Sequence, residues 1–117
     1  MGSLASKNIV LCITGSIAAY KSAFLTRLLI KAQAEVRVIM TPSACGFISP
    51  LTISTLSKHE VHTEVSDGNS WNNHVELGLW ADLLLIAPCT AHTLGKLAHG
   101  LASDILSAVY LSARCPT

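Results

Sequence analysis

Charge is scarce in this chain. Asp, Glu, Lys and Arg supply 13% of its 117 residues, against roughly 25% in an ordinary soluble domain. The formal net charge is +1, and Lys7, Lys21, Arg27, Lys31, Arg37, Lys58, Lys96 and Arg114 are scattered along the sequence. A dedicated nucleic-acid binder needs a clustered basic face, so that class is set aside. No CxxC pair occurs. Cys12, Cys45, Cys89 and Cys115 lie far apart, which argues against a disulfide framework, and Cys12 falls in an apolar run as a small core residue. The expected compartment is therefore the cytoplasm. No apolar run approaches the ~20 residues of a membrane span. Met1 to Ser6 lacks the basic start and apolar core of a signal peptide and reads as a disordered leader or cloning remnant, leaving one domain over residues 7–117.

Two common phosphate motifs are also missing. A dinucleotide fingerprint requires G-x-G-x-x-G, and here Gly15 stands alone. A Walker A loop requires a second glycine before Lys21-Ser22, but Tyr20 occupies that place and favours continued helix. The strand ending in Ala87-Pro88 also lacks a metal-binding Asp. An NTPase is not expected.

What the chain has is apolar residue in periodic blocks: half of it is hydrophobic. With so little charge, a small domain exposes apolar surface or covers it with partner subunits, and oligomerisation is the expectation. Lys7 to Ile13 reads as a strand, Thr14-Gly15-Ser16 as a turn, and Ile17 to Ala32 as a helix in which Tyr20, Phe24 and Leu28 recur at helical spacing. Glu35 to Met40 is the next strand, completing a right-handed βαβ unit. A short helix is expected near Ala44 to Phe47. Ser49 caps a helix that starts at Pro50 and runs through Ser57. His59 to Thr63 is a weak strand, and residues 64–71 form a loop. His74 to Ala81 is helical, Asp82 to Ala87 a strand, and Ala91 to Gly100 and Ala102 to Ala113 are helices. This alternation implies an α/β fold with a doubly wound parallel sheet between helical layers. The chain halts at Arg114-Cys115-Pro116-Thr117, where another strand is expected, so the domain is read as C-terminally incomplete.

Two loops carry candidate chemistry. Thr14-Gly15-Ser16-Ile17 joins a strand to a helix: glycine permits close backbone approach, Ser16 offers a hydroxyl, and the helix start offers unpaired N–H groups. Thr90-Ala91-His92-Thr93 follows a second strand with the same resources. In an open α/β sheet both lie at the carboxyl edge, where phosphorylated ligands bind. Asp82 reads as a structural cap or turn residue. His74, beside the apolar face of Val75, Leu77, Leu79 and Trp80, reads either as a surface residue or as an acid/base group. His92 and His99 are two turns apart and do not chelate one ion readily; His59 and His62 are equally unconvincing ligands, so no metal is expected.

With these residues in view, the chain resembles the flavoprotein family of homo-oligomeric flavin-containing cysteine decarboxylases, most closely its phosphopantothenoylcysteine-decarboxylating members. The matching pieces are ITGSIAAYKS, EVRVIMTPSACGFISPLTISTLS, NHVELGLWADLLLIAP and TLGKLAHGLASDIL, in order from about Asn8 to Pro116. The resemblance implies a Rossmann-like, flavodoxin-type subunit that binds FMN and assembles as a homotrimer or a dodecamer of trimers. It implies that Gly15, Ser16 and Ile17 line the flavin phosphate and ribityl chain. Thr41 adds a polar contact, Phe47 packs near the flavin, and Thr90, Ala91, His92 and Thr93 form the second flavin loop. His74 falls on the family's catalytic histidine. The implied reaction is decarboxylation of 4'-phosphopantothenoylcysteine to 4'-phosphopantetheine in coenzyme A biosynthesis.

The chain departs from the family pattern at two histidines: His92 and His99 stand where the family usually or commonly has Asn. An imidazole does not reproduce an amide's paired donor and acceptor. The family's Pro-Ala-Met-Asn segment and cysteine-bearing loop lie beyond Thr117, and Cys115 precedes both. The alternatives are a peptidyl-cysteine decarboxylase, a flavin prenyltransferase, or a non-catalytic flavin-binding or regulatory subunit.

Overall fold

The structure, a computed structural model, describes residues 4–63, 75–100 and 105–117. Three apolar, largely β-branched or leucine-rich segments form its sheet: β1 (Asn8–Ile13), β2 (Glu35–Met40) and β3 (Leu83–Ile86). Their order is β2-β1-β3, all parallel. Val10 stands level with both Arg37 and Leu84, and this register sorts the side chains by parity. Ile9, Leu11, Ile13, Val36, Val38 and Met40 face one layer, while Val10, Cys12, Ile39 and Leu84 face the other.

Helices α1 (Lys21–Lys31) and α2 (Pro50–Ser57) belong to the first layer. The second holds α3, helical at residues 75–80, and α5 (Ile105–Ser112). Helix α4 (Ala91–Ala98) follows β3. The three-layer, doubly wound arrangement expected from the alternation is present, with both faces of β1 buried.

Local sequence explains most boundaries. Ser49 Oγ accepts from Leu51 N–H at 3.2 Å, Pro50 takes the first turn, and Lys58 ends α2 in the left-handed conformation at φ 65°. The helix expected from Ile17 opens instead as a 3-10 turn over Ile17–Tyr20 before α1. The segment near Ala44 is likewise a 3-10 turn, Ala44–Gly46. The weak strand at His59 to Thr63 is reduced to one parallel bridge, in which His62 exchanges backbone bonds with Val38 and Met40 at 3.0 Å each. Glu60 is exposed there, and a polar segment at a sheet edge has little apolar area to hold a longer ladder.

On the opposite edge, Leu84 N–H donates to Pro116 C=O at 2.9 Å, where the sequence places the start of a further strand. The ordered fold also begins before Lys7, because Leu4 N–H donates to Ala32 C=O at 3.1 Å and Leu4 packs on the first core. Asp82 is structural: its carboxylate accepts from Asn8 N–H at 2.8 Å while Asn8 Nδ2 donates to Trp80 C=O at 3.1 Å.

Helix α1 turns the apolar stripe that revealed it outward. Tyr20, Phe24 and Leu28 are 51%, 64% and 62% exposed, and Leu29, Ser22 and Thr26 face inward. The two inward hydroxyls are satisfied: Thr26 donates to Ser22 C=O at 2.8 Å, and Ser22 reaches Ala87 C=O at 3.0 Å. Among the described residues no helix is long and apolar enough to cross a membrane. None of the four cysteines is in a disulfide, and Cys12 is fully buried.

Candidate functional site

Strand β1 lies between a neighbour that follows it through α1 and another reached much later in the chain. Connections from the carboxyl ends of β1 and β3 therefore leave toward opposite layers, and a crevice opens between them. Its walls are the Thr14–Ile17 turn and the Ala87–Thr93 segment.

The first wall is shaped by close packing. Ser16, extended at φ −153°, accepts from Ala18 N–H through Oγ at 3.0 Å and so starts the 3-10 turn. A Cβ on Gly15 would lie 2.5 Å from Ser43 Oγ, 2.6 Å from Ser43 Cβ and 2.9 Å from the Ser43 carbonyl carbon. Glycine is required here by space and not by an unusual turn, since Gly100 is the positive-φ glycine of the described residues. The loop after β2 thus presses against the loop after β1, anchored by Thr41 N–H donating to Ile13 C=O at 3.1 Å.

The second wall ends in a capped helix. Ala87 N–H continues the ladder to Cys12 C=O at 3.0 Å, and the Ala87–Pro88 peptide is cis. Thr90 Oγ1 accepts from Thr93 N–H at 3.2 Å and contacts Thr93 Oγ1 at 3.1 Å, closing the first turn of α4. The walls are joined directly: Thr14 Oγ1 donates to Pro88 C=O and accepts from Thr90 N–H at 3.2 Å.

Gly15, Ser16, Ile17, Thr90, Ala91, His92 and Thr93 are therefore brought to one crevice. Among the described residues, no protein group accepts from the N–H of Gly15, Ser16 or Ile17 on one side, or of Ala91 or His92 on the other. The stretches 14–17, 41–47 and 87–93 contain no Asp, Glu, Lys or Arg. An anion bound there would meet amide dipoles and hydroxyls, with no carboxylate from these three stretches opposing it.

The remaining candidates sit differently. Thr41 is 5% exposed, and its Oγ1 accepts from Ala44 N–H at 3.3 Å, so its hydroxyl serves its own loop. Phe47 is 49% exposed at the end of the same loop. His92 is exposed on the first turn of α4 and His99 caps its end. His74 lies outside the described residues. Among those residues no three His, Cys, Asp or Glu side chains gather as a metal-ligand set.

The sequence puts Thr14 in the first candidate loop without a role for its hydroxyl, and it gives no role to Ser22, Ser43 or Pro88. Hydroxyl residues at a strand end and on an inward helix face were the available signal. A larger open recess of about 630 Å³ lies between α2 and the following segment, lined by Leu51, Lys58 and His59 among others, away from the strand ends.

An open parallel sheet with glycine- and hydroxyl-bearing loops, unpaired amides and a helix N-terminus meeting at its switch point defines a binder of nucleotide-like, phosphorylated ligands. Comparison with known proteins makes this specific: the Flavoprotein family model matches residues 2–116, and the chain belongs to that family.

The Coenzyme A biosynthesis bifunctional protein CoaBC of Bacillus subtilis is 47% identical over 115 residues, covering 97% of this chain and 28% of that protein. Its Haemophilus influenzae counterpart is 44% identical, again over 97% of this chain and 29% of its own length. The chain thus spans less than a third of these curated relatives. Among solved structures, the FMN-dependent cysteine decarboxylase SpaF superposes with a TM-score of 0.85 at 33% identity, covering 98% of this chain and 67% of that one. A PPC decarboxylase variant complexed with pantothenoylaminoethenethiol gives a TM-score of 0.77 at 32% identity, covering 93% and 62%.

Proposed function

We propose that this chain is the FMN-binding domain of a phosphopantothenoylcysteine decarboxylase. The reaction releases CO2 from 4'-phosphopantothenoylcysteine and yields 4'-phosphopantetheine for coenzyme A synthesis. The observation that carries the reading is the crevice between β1 and β3, where Thr14 ties together two walls whose Gly15–Ile17 and Ala91–His92 amides have no partner among the described residues. The CoaBC relatives favour this substrate, at higher identity than the FMN-dependent cysteine decarboxylase SpaF, whose likeness keeps another cysteine-bearing substrate as the second reading.

The residues present fit FMN. Gly15, Ser16, Ile17, Ala91 and His92 offer N–H donors for a phosphate, and Ser16, Thr90 and Thr93 offer hydroxyls beside them. Thr41 supports this cradle from below, and Phe47 supplies exposed apolar surface for a ring system. A saturated carbon beside a carboxylate has no electron sink, and bound FMN would supply one by transient oxidation of the cysteinyl CH–S unit.

The protein's share is binding, orientation and proton handling. The amide walls hold the phosphate end, and His74 takes or positions the substrate's proton as a neutral-pH base. Low charge and the exposed Tyr20–Phe24–Leu28 stripe support association between copies that covers the stripe, and the family resemblance implies that the assembly is a homotrimer or a dodecamer of trimers. Such an enzyme would work in the cytoplasm.

Two measurements test the reading. Titrating purified protein with FMN should quench flavin fluorescence to a saturable endpoint. Carbon dioxide release from phosphopantothenoylcysteine should then fall by about a hundredfold or more in His74→Asn, the usual size of a lost acid/base group. Absence of FMN binding would remove the cofactor reading, and undiminished turnover in the variant would remove His74 from the mechanism.

A further inference from the structure

Thr14 is 1% exposed, and its hydroxyl spans the crevice from beneath. It donates to Pro88 C=O and accepts from Thr90 N–H at 3.2 Å, so one oxygen serves two points of the β3 loop. Ser22, 3% exposed on α1, donates to Ala87 C=O at 3.0 Å. Two hydroxyls from the first strand–helix unit thus hold consecutive carbonyls of the second wall. Pro88 has no N–H of its own to anchor that wall.

We infer that Thr14 is a positioning residue for cofactor binding, fixing the separation of the two amide walls before the ligand arrives, with Ser22 as its second tie. The inference rests on the FMN reading above and assigns Thr14 no contact with the ligand. The placement supplies the reason. The N–H of Gly15, without a partner among the described residues, follows Thr14 directly, and that of Ala91, equally without one, follows the Thr90 amide that Thr14 holds. A ligand that spans both walls therefore depends on this joint. If the joint opened, binding would have to reorder the Ala87–Thr90 segment, and that ordering would be subtracted from affinity.

Thr14→Val keeps the shape, removes the hydroxyl, and leaves Pro88 C=O and Thr90 N–H without their partner. Thr14→Ser keeps the hydroxyl and removes a methyl. The expected result is an FMN Kd weakened about tenfold or more in Thr14→Val, each tenfold being ~1.4 kcal/mol. Thr14→Ser should stay within about threefold of the parent, because net hydrogen-bond energies are retained.

Kd is read from flavin fluorescence quenching well below each variant's melting temperature. There a merely structural role lowers Tm and leaves Kd unmoved. Parent-like Kd in Thr14→Val, or equal weakening in both variants, overturns the inference while leaving the FMN reading intact. A parent protein that binds no FMN overturns both. Should Thr14→Val not fold, Ser22→Ala decides: weakening of severalfold with an unchanged circular dichroism spectrum supports the joint, and parent affinity overturns it.

Discussion

Replacing Gly15 with alanine places one methyl group where the structure has no room. The new Cβ would meet Ser43 Oγ at 2.5 Å, Ser43 Cβ at 2.6 Å and the Ser43 carbonyl carbon at 2.9 Å. Carbon atoms rest at about 3.5–4.0 Å, so the β1 and β2 loops must part by about 1 Å. A rotamer change at Ser43 moves only its Oγ, leaving the Cβ and backbone clashes. The cost should be that of overpacking, roughly 1–3 kcal/mol. For a domain of this size that corresponds to about 4 °C of melting temperature per kcal/mol. Scanning calorimetry of cofactor-free Gly15→Ala should therefore show a fall of about 4–12 °C. FMN titration should show weakened binding, because the displaced wall carries the Gly15–Ile17 amides.

The double variant Gly15→Ala/Ser43→Gly separates this cause from backbone strain. It removes two of the three close contacts and should recover at least half of the loss. A strained turn would gain nothing from it. A single variant melting within about 1 °C of the parent would refute the steric argument, since no overpacked site is that tolerant.

Thr90→Ala removes the cap on α4 and leaves Thr93 N–H without its side-chain acceptor. Calorimetry should register a loss of about 1 kcal/mol, largely restored in Thr90→Ser. Phe24→Asp puts a charge on the exposed face of α1. Sedimentation velocity should show smaller species than the parent, with an unchanged circular dichroism spectrum; a parent-like distribution would exclude that face as a contact between copies.

The strands and caps were legible because their causes are local. Three apolar runs bounded by turn residues became β1, β2 and β3, and the Ser49-Pro50 pair marked the start of α2 within the sequence itself. The convergence of the Gly15 and Thr90 loops followed from topology. Three features were not legible. The helical period of Tyr20, Phe24 and Leu28 locates a helix but not which side faces the sheet, and here Ser22, Thr26 and Leu29 take the inner side. The His59 to Thr63 segment has Val61 as its one apolar residue on the core, and so supports one bridge rather than a strand. The need for glycine at position 15 arises from Ser43, a partner the local turn pattern does not reveal.

Thr14 shows why such features stay hidden and why they matter. Its partners are 74 and 76 positions away, beyond the reach of any local pattern. Alone, it is a threonine at a strand end, a common place for a hydroxyl to meet backbone. Its significance comes from β3 lying directly beside β1. That adjacency brings two carboxyl ends together while their helices leave toward different layers. Strand pairing stops at Ala87 N–H to Cys12 C=O, so beyond that point the walls would diverge without a further tie. A side-chain hydroxyl can extend the joint without closing the crevice, because it bonds the second wall's backbone and leaves the amides above it unpaired. A continued backbone ladder would have consumed the Ser16 and Ala91 amides among them. The chain thus gains a rigid cleft by ending its sheet one residue early and completing the connection with Thr14 and Ser22.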